Sequence, residues 1–339
     1  MTSLPQPRPI GEFAAGDMDQ ASFEAIRQGV RPAVLRGATS DWPAVAAARR
    51  SDRTIADYLI ERAADRQVGA IAAAPAEKGR FFYTDDLARL NFVKGSGALG
   101  VFMEDLLRAA DLPDPPAMAV QSEEVGSLLP AFAQENRLDL LPGVAPRIWI
   151  GNRIRVAPHY DAKENVAVCV AGRRRFTVYP PEQIANLYPG PFELTPAGTP
   201  VSMVDIADPD LEKHSRYAEA AGHAVSAVLE PGDAIYIPYG WWHGVESLEA
   251  VSILVNYWWA PGVPDGVASP YDGLLQALLS FRHLPADQRA VWRTMLDYYV
   301  FECGGDPAGH LPTAAKGILG PASPALFDRM RAILRGGAA

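Results

Sequence analysis

Apolar positions recur along the chain with three different textures. Residues 19–29 open on Asp19, a helix-capping residue, and close on Gly29, with apolar spacing that predicts a helix. Residues 40–50 and 51–66 follow serines that can cap helices, and Ile55, Leu59 and Ile60 fall on one face of the second. Residues 99–110 read as a further amphipathic helix, ended by Pro113, Pro115 and Pro116. Between the first of these lies a short β-like run, 30–36. The middle of the chain changes period. Residues 147–152, 153–157, 165–170, 174–179, 201–206, 224–230, 234–238, 243–248 and 251–259 are short β-branched and aromatic runs separated by turn residues. Ala171-Gly172 predicts a hairpin between two of them, and Pro231-Gly232-Asp233 a turn between two others. Strands this short and this numerous predict a barrel or sandwich, not a parallel α/β sheet. Residues 181–217 are long and Pro-rich and predict a surface insertion. From residue 269 the helical texture returns over 271–283, 285–301 and 324–334, the first carrying Leu274, Leu275, Leu278 and Leu279.

Composition narrows the function. The chain has 339 residues, 48% of them hydrophobic, which suits a globular protein and not a disordered one. Lys+Arg number 31 against 40 Asp+Glu, a net charge of −9 that weighs against a dedicated nucleic-acid binder. Cys169 and Cys303 are too few for a disulfide framework or a thiolate metal cage. Any metal must be held by the six histidines and the carboxylates. Residues 1–13 contain no apolar core of a secretion signal, and no stretch reaches the roughly 20 apolar residues of a membrane span. The expectation is a soluble protein of a reducing cytoplasm.

His159-Tyr160-Asp161 is the sharpest local feature. On a strand, residues i and i+2 share a face, so an imidazole and a carboxylate project together while Tyr160 points away. His243, after Trp241-Trp242 at the start of another strand, can supply a third ligand. Two histidines and one carboxylate on one face of an octahedron leave positions open, the arrangement of non-haem Fe(II) oxygenases. His214 and His223 fall in or beside the insertion, and His283 and His310 in the tail, away from this constellation.

These residues, with Asn165, the Gly172 turn, 176–181, the run Pro231-Gly232-Asp233-Ala234-Ile235-Tyr236-Ile237-Pro238-Tyr239-Gly240-Trp241-Trp242-His243 and Val255-Asn256-Tyr257-Trp258, resemble the cupin-like JmjC oxygenases, most of all their asparaginyl-hydroxylase branch. The resemblance covers 147–261 well and the helical flanks loosely. It implies a mainly β fold with helical flanks: a double-stranded β-helix (jelly roll) over 121–262, an N-terminal flank over 1–120 and a C-terminal helical region over 263–339. It implies Fe(II) on His159, Asp161 and His243, with 2-oxoglutarate and O2 as cosubstrates. By the same resemblance Asn165 and Asn256 lie near the iron and the C1-carboxylate. Arg174 stands where the family usually places a lysine for the distal carboxylate; a guanidinium can grip that group in a bidentate fork. Val156 stands where a threonine contact is expected, and no tyrosine occurs over 118–121. Gln121, Trp258 and Tyr83 are candidates for the substrate pocket. Strand alternation puts Arg174 on the face opposite Arg173 and Arg175, and one of the two orientations serves the pocket.

The function implied is hydroxylation of an unactivated C–H bond, in a protein or peptide side chain, by a dioxygenase. A small molecule or tRNA is the alternative substrate, and a non-catalytic metal- or ligand-binding cupin the alternative class. The amphipathic tail helices resemble those through which relatives form homodimers.

Overall fold

The computed structural model describes residues 4–14 and 18–336; residues 1–3, which begin the segment read above for a secretion signal, lie outside the described residues, as do 15–17 and 337–339. The chain divides into two units, Met1–Trp259 and Ala260–Ala339.

The first unit starts with β1 (Arg8–Pro9) and β2 (Gly11–Ala14), then α1 (Gln20–Gln28), whose first turn is capped by the Asp19 carboxylate accepting from the Ser22 amide. β3 (Ala33–Arg36), α2 (Pro43–Arg50) and α3 (Asp52–Arg62) follow, the last capped by Ser51. Next come β4 (Gln67–Ala73), β5 (Val93–Ala98), α4 (Leu99–Ala110), β6 (Ala117–Glu124), α5 (Val125–Leu128) and α6 (Pro130–Glu135). The central run is β7 (Pro146–Gly151), β8 (Arg155–His159), β9 (Glu164–Ala171), β10 (Arg174–Tyr179), α7 (Tyr217–His223), β11 (Val225–Leu229), β12 (Ala234–Ile237), β13 (Trp242–Ser247) and β14 (Ser252–Trp259).

Two sheets result. One has five strands in the order β1-β11-β10-β13-β8, the other nine in the order β2-β3-β12-β9-β14-β7-β6-β4-β5. Consecutive central strands alternate between them: β7 to β8, β9 to β10 and β11 to β12 each cross from one sheet to the other. That weave is the double-stranded β-helix, or jelly roll. It corrects the hairpin expectation at Ala171-Gly172. Gly172 (φ +68°) does turn the chain, but β9 pairs with β12 and β14 while β10 pairs with β11 and β13.

Burial explains why the central strands read as near-continuous apolar runs. All of β9 is buried. Val166, Val168 and Val170 face the helical layer of α1–α6, while Ala167 and Cys169 join Phe176, Val178, Ile235 and Leu254 between the sheets. A strand covered on both faces loses its polar alternation. The N-terminal flank is less helical than the pattern predicts, since β4, β5 and β6 extend the nine-stranded sheet and β6 runs across the expected boundary at 120/121. Nor is 201–206 a strand: among the described residues it makes only an isolated bridge, Pro189 to Ser202. The insertion around it is not a surface appendage either. Ser202 donates its amide to Pro158 at 2.7 Å and Thr199 its hydroxyl to Tyr160 at 2.9 Å, so the loop folds back on the strand that carries His159.

The second unit contains α8 (Pro270–Phe281), α9 (Ala286–Tyr299) and α10 (Pro324–Leu334). None of the three buries a residue, and Leu279, Phe301 and Leu334 are largely exposed. Among the described residues no helix is long and apolar enough to cross a membrane.

Candidate metal centre

His159 is the last residue of β8 and His243 the second of β13; the two are cross-strand partners, with ring centroids 4.4 Å apart. Directly opposed positions on neighbouring antiparallel strands share a face. Asp161 is not on the strand, as its spacing predicts, but in the loop just beyond it, where the Gly240 amide donates to its carbonyl at 3.0 Å. The carboxylate still turns to the histidines: Oδ2 stands 3.6 Å from His243 Nε2. Tyr160 between them turns away and packs on Trp242, 4.9 Å between rings.

Each imidazole is oriented by its own backbone. His159 Nδ1 lies 3.0 Å from the Ala157 carbonyl and His243 Nδ1 3.1 Å from that of Trp241. A carbonyl can only accept, so Nδ1 carries the proton and Nε2 presents a lone pair. Burial, then the neighbouring His159, hold the His243 imidazole well below its ordinary pKa, which keeps it neutral. Asp161 Oδ2 is buried with no hydrogen-bond partner among the described residues. A stranded carboxylate oxygen is costly unless something cationic meets it. One atom from each of the three residues lies within 4.8 Å of the others, an N, N, O donor set that could hold a divalent metal.

The three residues line a cavity of about 470 Å³ that opens between the sheets. Arg174 lies at 4% exposure in its wall, its Nε donating to Ser252 Oγ at 2.8 Å. No carboxylate pairs with it among the described residues, and burial pushes its pKa down to about 10, with Cys169 opposing. Its neighbours face the other way, Arg173 onto Glu249 at 2.7 Å and Arg175 onto Glu246 at 2.5 Å. Asn256 Nδ2 donates to Asn165 Oδ1 at 3.3 Å, and Trp149 Nε1 to Asn256 Oδ1 at 2.8 Å, so both asparagines are oriented within the cavity wall. Gln121, Trp258 and Val156 also line it. Tyr83 does not: its hydroxyl donates to the Leu194 carbonyl at 2.9 Å and its ring packs on Phe82, because the 80–83 segment turns Phe81, not Tyr83, to the cavity. Sequence reasoning missed Ser122, Ser252 and the contribution of Pro196, Ala197 and Val201 from the insertion. A larger cavity, about 660 Å³, lies on the other face of the five-stranded sheet and contains none of the three metal-competent residues.

A sequence profile described as a cupin-like domain matches residues 19–263. HSPB1-associated protein 1 of Homo sapiens is 34% identical over 120 residues, which is 34% of this chain and 24% of that protein. Jumonji C domain-containing protein 5 of Drosophila melanogaster is 28% identical over 255 residues, 74% of this chain and 59% of that protein. Lysine-specific demethylase JMJ31 of Arabidopsis thaliana is 29% identical over 258 residues, 67% of this chain and 46% of that protein. The matched region is thus less than two thirds of the length of each of these relatives.

Proposed function

The chain belongs to the cupin-like family of JmjC-type oxygenases, and from that premise we propose that it holds Fe(II) on His159, Asp161 and His243 and, with 2-oxoglutarate and O2, hydroxylates an unactivated C–H bond of a protein or peptide side chain. The observation that carries the proposal is the buried Asp161 Oδ2, without a hydrogen-bond partner among the described residues, facing two imidazoles whose Nδ1 atoms are engaged by backbone carbonyls. Held by His159, Asp161 and His243, the metal would supply oxidative chemistry in which O2 gives one oxygen atom to the substrate and the other to the succinate formed, with CO2, from 2-oxoglutarate.

The chain's own residues prepare that chemistry. The three ligand side chains sit at one end of the cavity and leave its interior open. Arg174 takes the distal carboxylate of the cosubstrate, since its buried cation lacks an anion of its own. With Val156 apolar and no tyrosine over 118–121, this grip falls on the guanidinium fork. Asn165 and Asn256 support the other end, held in register by Trp149. Ala167, Phe176 and Leu254 close the interior to water. Gln121 and Trp258 face the substrate, and Tyr83 buttresses the wall from behind. The C-terminal unit, with its exposed Leu279, Phe301 and Leu334, pairs with a second copy of the chain.

The test is anaerobic reconstitution with Fe(II). The wild-type protein takes up one iron per chain and develops a weak visible charge-transfer band when 2-oxoglutarate is added. His159→Ala shows neither. Stoichiometric iron in that variant sinks the ligand assignment, and a wild-type protein without the band sinks the cosubstrate.

A further inference from the structure

Besides the metal-competent residues, Arg174 and the two asparagines, the wall of the metal cavity carries a further polar patch, on β6. Val120 pairs with Ile150, whereas Glu123, three residues on, pairs with Ile148, two residues back. The extra residue makes a β-bulge. Within it Ser122 adopts φ +55°, a left-handed conformation that a non-glycine residue keeps only when its surroundings impose it. Arg147 imposes it: Nε donates to Ser122 Oγ at 2.6 Å and Nη2 donates to the Ser122 carbonyl. The result is that Gln121 and Ser122, successive residues that a regular strand would send to opposite faces, both line the cavity.

The two polar groups so placed are uncommitted. Ser122 Oγ accepts from Arg147, which leaves its own hydrogen to donate. Among the described residues no hydrogen bond engages the Gln121 carboxamide. A third group joins them, the indole N–H of Trp258, buried and without an acceptor among the described residues. A buried donor left unpaired is costly, so this wall favours a ligand that accepts a hydrogen bond. Charge points the same way. Among the described lining residues the only carboxylate is Asp161, already assigned to the metal. An ammonium entering here is stripped of water with no anion to meet it. Aromatic faces can replace an anion for alkylated ammonium groups, but Trp149 and Trp258 pack edge-to-face, 5.9 Å apart at 85°, so one ring's edge covers the other's face.

We propose that the β6 bulge, set by Arg147 and presenting Gln121 and Ser122 beside Trp258, is the substrate-recognition subsite of this cavity and takes an uncharged group that accepts hydrogen bonds, of amide or hydroxyl type, not an alkylated ammonium. The proposal rests on the metal-site reading above. Arg147 is a positioning residue; Gln121 and Ser122 are the contacts.

The experiment uses the full chain loaded with Mn(II) and the inert cosubstrate analogue N-oxalylglycine, with the Zn(II) form as diamagnetic reference. Paramagnetic relaxation of ligand protons is measured for two probes, propionamide and tetramethylammonium. Propionamide is relaxed by the wild-type Mn(II) protein and tetramethylammonium is not. Gln121→Ala and Arg147→Met each reduce the propionamide effect about three- to tenfold. Gln121→Glu, which adds the missing anion, admits tetramethylammonium. The proposal falls if tetramethylammonium is relaxed as strongly as propionamide in the wild type, if propionamide is not relaxed, or if Gln121→Ala leaves its relaxation unchanged. Gln121→Ala keeps the test decisive should Arg147→Met fail to fold. Failure to take up Mn(II), read separately by electron paramagnetic resonance, overturns the metal-site reading and this proposal with it.

Discussion

Arg174 offers the most direct thermodynamic test of the site. The protein buries this guanidinium with a serine hydroxyl as its partner and no carboxylate among the described residues. Burial pushes its pKa well below the ordinary guanidinium range, down to about 10, which corresponds to roughly 3 kcal/mol against the charged form. The sign is that of a depressed folded value: the cost is carried in full at neutral pH, where folded and unfolded chains are both charged, and is relieved only as pH rises above about 10 toward the ordinary guanidinium value. Arg174→Met removes the cost together with the bond to Ser252, a charge-assisted hydrogen bond of about 1.5–3 kcal/mol. The two nearly cancel. The ligand-free variant is therefore as stable as the wild type or more stable by up to about 1.5 kcal/mol, a rise of about 3–6 °C at most. Ligand reverses the order. With Mn(II) present, 2-oxoglutarate at about a hundred times its dissociation constant stabilises the wild type by about 2.7 kcal/mol, while the variant gains nothing. Differential scanning fluorimetry, with and without 2-oxoglutarate, reads both quantities. A variant that melts well below the wild type without ligand refutes the view of Arg174 as an unneutralised cation. A variant that still responds to 2-oxoglutarate refutes its assignment to the distal carboxylate.

Cys169 lies on the same interior face, and burial pushes its thiol from 9.0 up to about 12. A raised folded value means that the stability it contributes is whole below about pH 9 and is lost as pH rises toward 12. Thiol titration at pH 8 therefore counts one fast-reacting cysteine in the folded chain, the exposed Cys303, and two in denaturant; two fast thiols in the folded chain refute the buried placement. The proposed pairing of the C-terminal unit predicts a dimer in sedimentation velocity at micromolar concentration and a monomer for the Leu279→Asp, Phe301→Asp double variant. A monomeric wild type removes that interface.

The parts of the fold that the sequence made legible are those whose burial leaves a local trace. β9, β12 and β14 are covered on both sides and stand out as apolar runs. Helices with a capping side chain, such as Ser51 before α3 and Ser323 before α10, could be placed to within a few residues. β4 and β5 escaped because Gln67–Ala73 and Val93–Ala98 are built largely from Ala, Gly and polar residues; their strand state comes from β4 joining β6 and β5 joining β4 at the sheet edge, not from their own propensity. The Gly172 turn misled for a related reason. A tight glycine turn fixes a reversal of direction but not the partner of the strand that follows, and in a jelly roll that partner comes from far along the chain.

The same distinction runs through the site. His159, Asp161 and His243 could be grouped because the aromatic turn before His243 and the H-x-D pair each carry a local signature, and the cross-strand register then brings them together. Arg174 could be separated from Arg173 and Arg175 by alternation, although its inward direction needed the other strands. The polar corner at Gln121 and Ser122 was only half visible. Gln121 was among the pocket candidates, whereas the bulge that adds Ser122 depends on Arg147, twenty-five residues away on the neighbouring strand. Features that choose a metal are thus carried by short motifs, while the features that would choose a substrate are carried by pairings between distant segments. For this chain that separation implies that a relative sharing the H-x-D and Trp-Trp-His motifs but lacking the Arg147–Ser122 contact would keep the metal and lose the subsite.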